Sequence, residues 1–252
     1  MINKISVIIP CYNNFIFFEQ CINSVINQTY KNIEIIVIFD AGNKKDLRNC
    51  LLNLKKKQKK IKLIINSKNI GAGLSRNKAA KFAKGKYIAF LDSDDIWKQN
   101  KLKHQLAFMK KRKLKISHTS YYIIDDNNMK IGSQIAKYKQ TYYDLLNSCD
   151  IGLSSLMIEK NLFLKNKFTS NKTKEDYASW LKIAKKIDIY GLNEHLLLWR
   201  KTKNSLSSNT TQKIKDAFDI YFRKERFNFF SSVYKVIILS LNYFIKRIKQ
   251  KL

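Results

Sequence analysis

The chain has 252 residues, 45% of them hydrophobic and 12% aromatic, enough for one good-sized packed domain with or without an appendage and too apolar for a disordered chain. Lys and Arg number 49 against 19 Asp and Glu, a net +30 that points to an anionic partner (nucleic acid, a phosphorylated ligand, an anionic membrane) or to a Lys-rich bias spread over the chain. Cys11, Cys21, Cys50 and Cys149 form no CxxC pair and His104, His118 and His195 add no metal-ligand spacing, which speaks against a zinc or disulfide framework and fits a reducing compartment.

The N-terminus MINKISVIIP has an apolar run too short for a signal peptide, and ISVII (5–9) is expected to be a first strand. The stripe Phe18, Cys21, Ile22, Val25 and Ile26 predicts a helix. IEIIVIF (33–39) follows as a second strand, then an exposed lysine-rich helix over about 45–60 with Leu47, Leu51, Leu52 and Leu54 inward. IKLII (61–65) is a third strand, LSRNKAAKFAK a helix and KYIAFL (86–91) a fourth strand. Continuous apolar strands separated by helices predict an α/β fold with a mostly parallel sheet covered on both faces. Ligands of such sheets bind beyond the carboxyl ends of the strands. Pro10 to Asn14, Asp40 to Asn43, Asn69 to Gly73 and Asp92 to Asp95 all fall on that edge, and Gly42, Gly71, Gly73 and Gly85 concentrate backbone freedom in this half.

After Trp97 a basic amphipathic helix is expected to about residue 112, then strand-like pieces at 117–124 and 154–159, and a helix over 173–186 with Trp180, Leu181 and Ala184 on one face. A basic tail begins near 213, its apolar run interrupted by Lys235 and Asn242.

LDSDD places Asp92, Asp94 and Asp95 within four positions. Capping of a helix start accounts for one aspartate at roughly 0.3 to 1 kcal/mol, whereas three crowded carboxylates call for a hard divalent cation. Glu175-Asp176 permits two readings: a capping box with Thr173, or a general base at a helix start. Arg76-Asn77 is either a phosphate clamp or an exposed polar face. Gly71-Ala72-Gly73 matches neither a P-loop nor the dinucleotide GxGxxG pattern.

Five segments in order resemble the motifs of family-2 glycosyltransferases with the GT-A fold, over roughly residues 4–210. They are Ser6 to Asn13, Glu34 to Asp40, Asn69-Ile70-Gly71 with Arg76-Asn77, Gly85 to Asp95, and Glu175-Asp176 with Trp180-Leu181. Arg200 with Asn204 to Ser207 resembles the closing motif. The resemblance implies inverting transfer from a nucleotide-diphosphate-sugar, with a UDP-sugar the expected donor, in bacterial cell-surface polysaccharide or lipopolysaccharide synthesis. It implies a nucleotide-sugar site of Pro10, Tyr12, Asp40, Asn69, Arg76, Asp92 and Ser93, with Tyr12 stacking on the base. It further implies Mn2+ or Mg2+ on Asp92 and Asp94, Asp95 as a further ligand, and Asp176 or Glu175 as the base.

Two positions depart from the family. Phe39 stands where an acid is common and Thr202 where a histidine is common, with Lys201 or Lys203 as electrostatic substitutes. They keep open a non-catalytic nucleotide-sugar-binding relative. A nucleic-acid-binding protein is the other alternative, but it gives no reason for acids at the strand ends; no nucleic-acid partner is expected. The expected organisation is a catalytic domain over 1–210, with a nucleotide half to about 97 and an acceptor half from 98, and a helical tail over 211–252. Val233 to Ile245 is too short and polar to cross a bilayer, which needs about 20 apolar residues. Lys246, Arg247, Lys249 and Lys251 would instead face anionic headgroups at the cytoplasmic face, where a glycan or lipid-linked acceptor would be met.

Overall fold

The computed structural model describes residues 3–12, 15–42, 44–55, 61–202 and 209–249, and does not describe the side chains of Lys44, Asp46, Asn53, Lys55, Arg247 and Lys249. Lys203, the Asn204 to Ser207 segment, Lys251 and Asn13 therefore lie outside the described residues.

The chain alternates β1 (Ile5–Cys11), α1 (Phe18–Ile26), β2 (Ile33–Phe39), α2 (Lys44–Lys55), β3 (Ile61–Ile65), α3 (Ala72–Phe82) and β4 (Tyr87–Phe90). It continues through β5 (Ile96–Trp97), α4 (Lys101–Lys111), β6 (Ile116–Ile124), β7 (Lys130–Gln134), β8 (Lys139–Gln140) and α5 (Tyr142–Asn147). Next come β9 (Met157–Glu159), α6 (Lys160–Lys165), α7 (Glu175–Ala184), β10 (Ile189–Arg200), α8 (Thr210–Asp219) and α9 (Phe229–Lys249).

One sheet runs β3-β2-β1-β4-β9-β6-β10-β5. β3, β2, β1 and β4 are parallel, as the alternation of apolar strands and helices predicts. Beyond β4 the sheet is mixed: β9 joins β4 and β6 antiparallel, while β6 and β10 pair in parallel. Side chains alternate between two cores. Val7, Ile9, Ile35 and Val37 pack with Phe18 and Cys21 of α1 and Met109 of α4, whereas Ile8, Ile36, Ile38 and Phe90 pack with Ala79 and Ala80 of α3 and with Tyr177 and Trp180 of α7. All seven residues of β1 are buried, each large aliphatic side chain contributing roughly 1.5 to 3 kcal/mol. Pro10 is tolerated in this central strand because the β1–β4 ladder has already ended at Ile8.

Three details differ from the sequence expectation. In α2, Cys50 is fully buried and Leu52 is 49% exposed, since residues 47, 50, 51 and 54 share a helical face and residue 52 is turned away. Gly85 sits at the edge opposite the site. A Cβ there would lie 2.7 Å from the Lys4 carbonyl and the Ser6 N, so this glycine serves close packing rather than ligand approach. The tail helix α9 is longer than expected, 21 residues, and its Phe229–Lys246 stretch has the length and mean hydropathy, 1.2, that would let it cross a membrane. It nonetheless packs on the domain. Val236 and Leu239 join the core around Tyr177 and Trp180, and Lys235 and Asn242 each reach Asn147 at 2.9 Å.

Candidate active site

The carboxyl ends of β1, β2, β3 and β4 line up as expected, and hydrogen bonds knit them. Asp40 N–H donates to the Cys11 carbonyl, Asn66 N–H to Phe39 and Leu91 N–H to Ile8, at 2.9 to 3.1 Å. Asp40, 3% exposed, accepts from Asn66 Nδ2 and Ile70 N–H on Oδ1 and from Gly71 N–H on Oδ2, at 2.8 to 2.9 Å. Three of its roughly four acceptor positions thus hold the loop before α3 in place. Asn69 Oδ1 adds a bond from Gly71 N–H at 3.0 Å, and Gly71 takes φ +86, a conformation natural only to glycine. Tyr12 is 48% exposed at the rim, free to stack on a planar ligand, and Pro10 is buried beneath it in the strand. Asn66, which the sequence reading did not single out, is the hub here: it also binds Ser75 Oγ and accepts from Lys78 Nζ. Its place one residue past the third strand is the signal that marks it.

Arg76 is neither an exposed polar face nor a free phosphate clamp. Its guanidinium, 4% exposed, donates through Nη2 to Asp92 Oδ1 at 2.5 Å and through Nη1 to Glu175 Oε1 at 3.1 Å. Two acidic motifs 83 positions apart therefore meet on one side chain. Gly73 permits this approach of α3 and α7, because a Cβ there would stand 2.6 Å from Glu175 Cγ.

The acid loop divides by exposure. Asp92, Ser93 and Asp94 are partly exposed, and the Asp92 backbone N–H is held by Ser154 Oγ at 3.0 Å. Burial and then the charge of Asp92 push Asp94 up to about 6. Asp95, expected as a further metal ligand, is the most buried of the three acids. It is 1% exposed and accepts the Arg200 N–H on Oδ1 at 2.8 Å, so it fastens the loop to the end of β10. Arg200 completes that fastening. Its side chain donates to the carbonyls of Asp94 and Asp125, to Gln20 Oε1 and to Asn128 Oδ1, and stacks 3.8 Å from the Phe17 ring. Cys21 donates its thiol to the Asp92 carbonyl, and burial with the nearby acids pushes its ionisation well up, which disfavours the thiolate.

At the start of α7 the capping-box reading fails: Thr173 sends both its N–H and its hydroxyl to Asp216 Oδ2 at 2.7 Å. Thr173 is drawn to a buried carboxylate of α8, and the box forms instead at Thr141–Asp144 of α5. Asp176 is thereby left without a hydroxyl partner from Thr173, accepting its neighbour's backbone N–H from Tyr177 at 2.7 Å. Burial, then Asp176, pushes Glu175 up to about 7; burial also raises Asp176. Such carboxylates are suited to take a proton near neutrality. The departures from the family pattern are placed as well: Phe39 is buried and stacks on Phe15 at 6.1 Å, and Thr202 is partly exposed beside Lys201.

A parallel β3-β2-β1-β4 half joined to a mixed half, with acids at the strand ends, is the GT-A fold. It is shared with Staphylococcus aureus TarS solved with UDP-GlcNAc (TM-score 0.69, 21% identity, 86% of this chain) and with the Pyrobaculum calidifontis mannosyltransferase PcManGT solved with GDP-Man and Mn2+ (TM-score 0.69, 13% identity, 89% of this chain). The chain spans 64% and 65% of those two solved chains. The chain belongs to glycosyl transferase family 2, whose model matches residues 6–168, and is a glycosyltransferase. It is 33% identical over 97% of both chains to the Bacillus subtilis putative teichuronic acid biosynthesis glycosyltransferase TuaG. It is 36% identical, over 86% of this chain and 84% of the other, to the Escherichia coli UDP-Glc:alpha-D-GlcNAc-diphosphoundecaprenol beta-1,3-glucosyltransferase WfgD.

Proposed function

We propose that this enzyme transfers a sugar from a UDP-sugar, with inversion and with Mn2+ or Mg2+, to a hydroxyl of a lipid-linked glycan in cell-surface polysaccharide synthesis. Residues 1–97 hold the nucleotide, residues 98–210 the acceptor, and the tail holds the enzyme as a peripheral protein at the cytoplasmic face of an anionic membrane. The observation that carries the reading is the Arg76 bridge, which ties donor-side Asp92 to Glu175 beside the base candidate Asp176. The donor and acceptor preferences in the WfgD name and the UDP-bound TarS structures support the substrate class.

The residues present fit a divalent cation. Asp92 and Asp94 are close, partly exposed carboxylates; burial and then the charge of Asp92 push Asp94 up to about 6, and a cation would relieve the part that comes from Asp92. Among the described residues no three acid, imidazole or thiol groups converge; one or two carboxylates plus substrate phosphates is the usual set for Mg2+ in phosphate sites. Bound there, the cation would neutralise charge on the departing diphosphate. The protein's own groups do the rest. Tyr12 stacks on the base, Asp40 and Asn69 shape its pocket, and Pro10 and Ser93 complete the walls. Asp176 takes the proton of the acceptor hydroxyl as its oxygen bonds to the anomeric carbon and the carbon–oxygen bond to the diphosphate breaks on the opposite side. Arg76 keeps the Asp92 and Glu175 carboxylates in register across the cleft.

The exposed face of α9 supports membrane contact. Phe230, Tyr234, Ile237, Leu241, Phe244 and Ile248 recur at helical spacing and are each at least 50% exposed. Assay of UDP-, GDP- and dTDP-sugar hydrolysis with and without Mn2+ tests the catalytic reading: Asp94→Ala is expected to abolish the metal-dependent turnover, and unchanged turnover in that variant would refute it.

A further inference from the structure

The tail does more than pack. Along one stripe of α9, Lys235 and Asn242 bind Asn147, and Lys246 pairs with Asp150. Asp150, 5% exposed, also takes Lys137 at 3.1 Å from the segment between β7 and β8. A third lysine, Lys174, stands directly before Glu175 and Asp176 with φ +58, at a helix start that has no side-chain cap. It forms no salt bridge among the described residues, its ammonium lying 5.5 Å from the Tyr177 ring. Burial lowers the Lys174 ammonium from its ordinary value. Cys149 and Asp176 oppose that, and Lys246 adds to it. Ser154, four residues on from Asp150, accepts the Asp92 N–H at 3.0 Å, and Asp92 is joined through Arg76 to Glu175, so the Asp150 segment adjoins the acid cluster.

Lys137 and Lys246 thus meet on Asp150, and Lys174 stands directly before the candidate base. Asp150 alone pairs with two of them. Core packing gives no reason for this excess: a buried ion pair seldom adds stability over apolar residues, and a third cation near it costs more. An anionic ligand supplies the reason, and two or more lysines with a free helix start suit phosphate oxygens. On a single sugar linked to a lipid diphosphate, the acceptor type in the WfgD name, one ring separates the hydroxyl at the base from the phosphates.

We propose that Lys137, Lys174 and Lys246 form a subsite for the diphosphate of the acceptor, so that the C-terminal helix supplies a binding residue to the active site. The inference rests on the lipid-linked acceptor of the proposed function. It explains why one helix carries both Lys246 on its docked stripe and the apolar stripe on the outer side: the membrane contact and the acceptor headgroup are then positioned together.

The test compares, on the full chain, transfer to a short-chain lipid diphosphate-GlcNAc and to octyl GlcNAc, which lacks the diphosphate. The wild type is expected to prefer the former in kcat/KM. Lys246→Ala should shrink that preference by about 10- to 100-fold through KM, the loss of one charge-assisted contact, and Lys246→Arg should restore it. Asp150→Asn, which releases the lysines from their internal partner, should keep the preference at or above wild type. If Asp150→Asn loses it as Lys246→Ala does, or if the wild type shows no preference, the lysines form a structural ion pair and the subsite is refuted. Binding gives a readout independent of transfer. With UDP and Mn2+ saturating, pyrophosphate should raise the melting temperature of the wild type and not of Lys246→Ala, and the absence of any shift in wild type overturns the proposal. Failure of the wild type to hydrolyse any nucleotide-sugar would instead count against the enzyme reading.

Discussion

Glu175 and Asp176 are neighbours with different partners, and that separates their roles. Glu175 is held by Arg76, whereas Asp176 accepts from the Tyr177 backbone N–H. Asp176→Asn is therefore expected to lower kcat by about 10³ with donor KM little changed, and Glu175→Gln to cost far less; steady-state kinetics of both variants will rank them, and the reverse order would make Glu175 the base. The shifts also fix a pH dependence. Glu175 is pushed up to about 7, above the ordinary glutamate value of about 4.3, so the folded state retains a proton that the unfolded state has released. Its contribution to stability is full below pH 4.3 and is lost as pH rises to about 7, while activity that needs the charged carboxylates rises over the same range. Thermal melts and kcat/KM across pH 5 to 8 should move in opposite directions, and a melting temperature that climbs with pH through this window would contradict the assignment. At this scale the sequence showed where the acids gather but not their partners: Asp95 and Thr173 look like ligand and cap in one dimension, and bind Arg200 and Asp216 because residues 105 and 43 positions away fold against them.

At the scale of elements, the approach of α3 to α7 decides whether the two acidic motifs meet on Arg76. Gly73→Ala puts a methyl 2.6 Å from Glu175 Cγ and forces that side chain off Arg76. It should lower kcat by about tenfold or more with only a small fall in melting temperature, since geometric misplacement of about 1 Å is costly to catalysis. Gly71→Ala meets no neighbour but must adopt φ +86, and should cost about 1 kcal/mol in denaturant unfolding. The strands of the parallel half were legible to within a residue or two because their apolar runs are continuous. β10 was not. Its register shifts between Leu192 and His195 and between His195 and Leu197, so its side chains follow no single period, and its length is fixed by pairing with β6.

Across the whole molecule, the tail is both docked and exposed. Its inner stripe is tied to Asn147 and Asp150, and its outer stripe offers Phe230, 83% exposed, and Phe244, 64% exposed, to solvent. The protein is expected to sediment with anionic vesicles, to be released as salt rises, and to ignore neutral vesicles. Phe230→Glu with Phe244→Glu should abolish sedimentation at unchanged melting temperature. Binding that survives both substitutions would place the contact elsewhere.

The sequence by itself determined the α/β class, the four parallel strands, the strand-end edge where polar turns collect and the acids that gather there, because strand periodicity, turn residues and short motifs are local properties of the chain. Only the tertiary structure decided that Arg76 joins Asp92 to Glu175, that Asp95 and Arg200 lock the acid loop, and that Lys246 of the tail reaches Asp150. Those are contacts between residues far apart in sequence. They exist because burying the apolar faces of α3, α7 and α9 on one side of the sheet brings their polar residues to a common cleft, and no local pattern encodes that convergence.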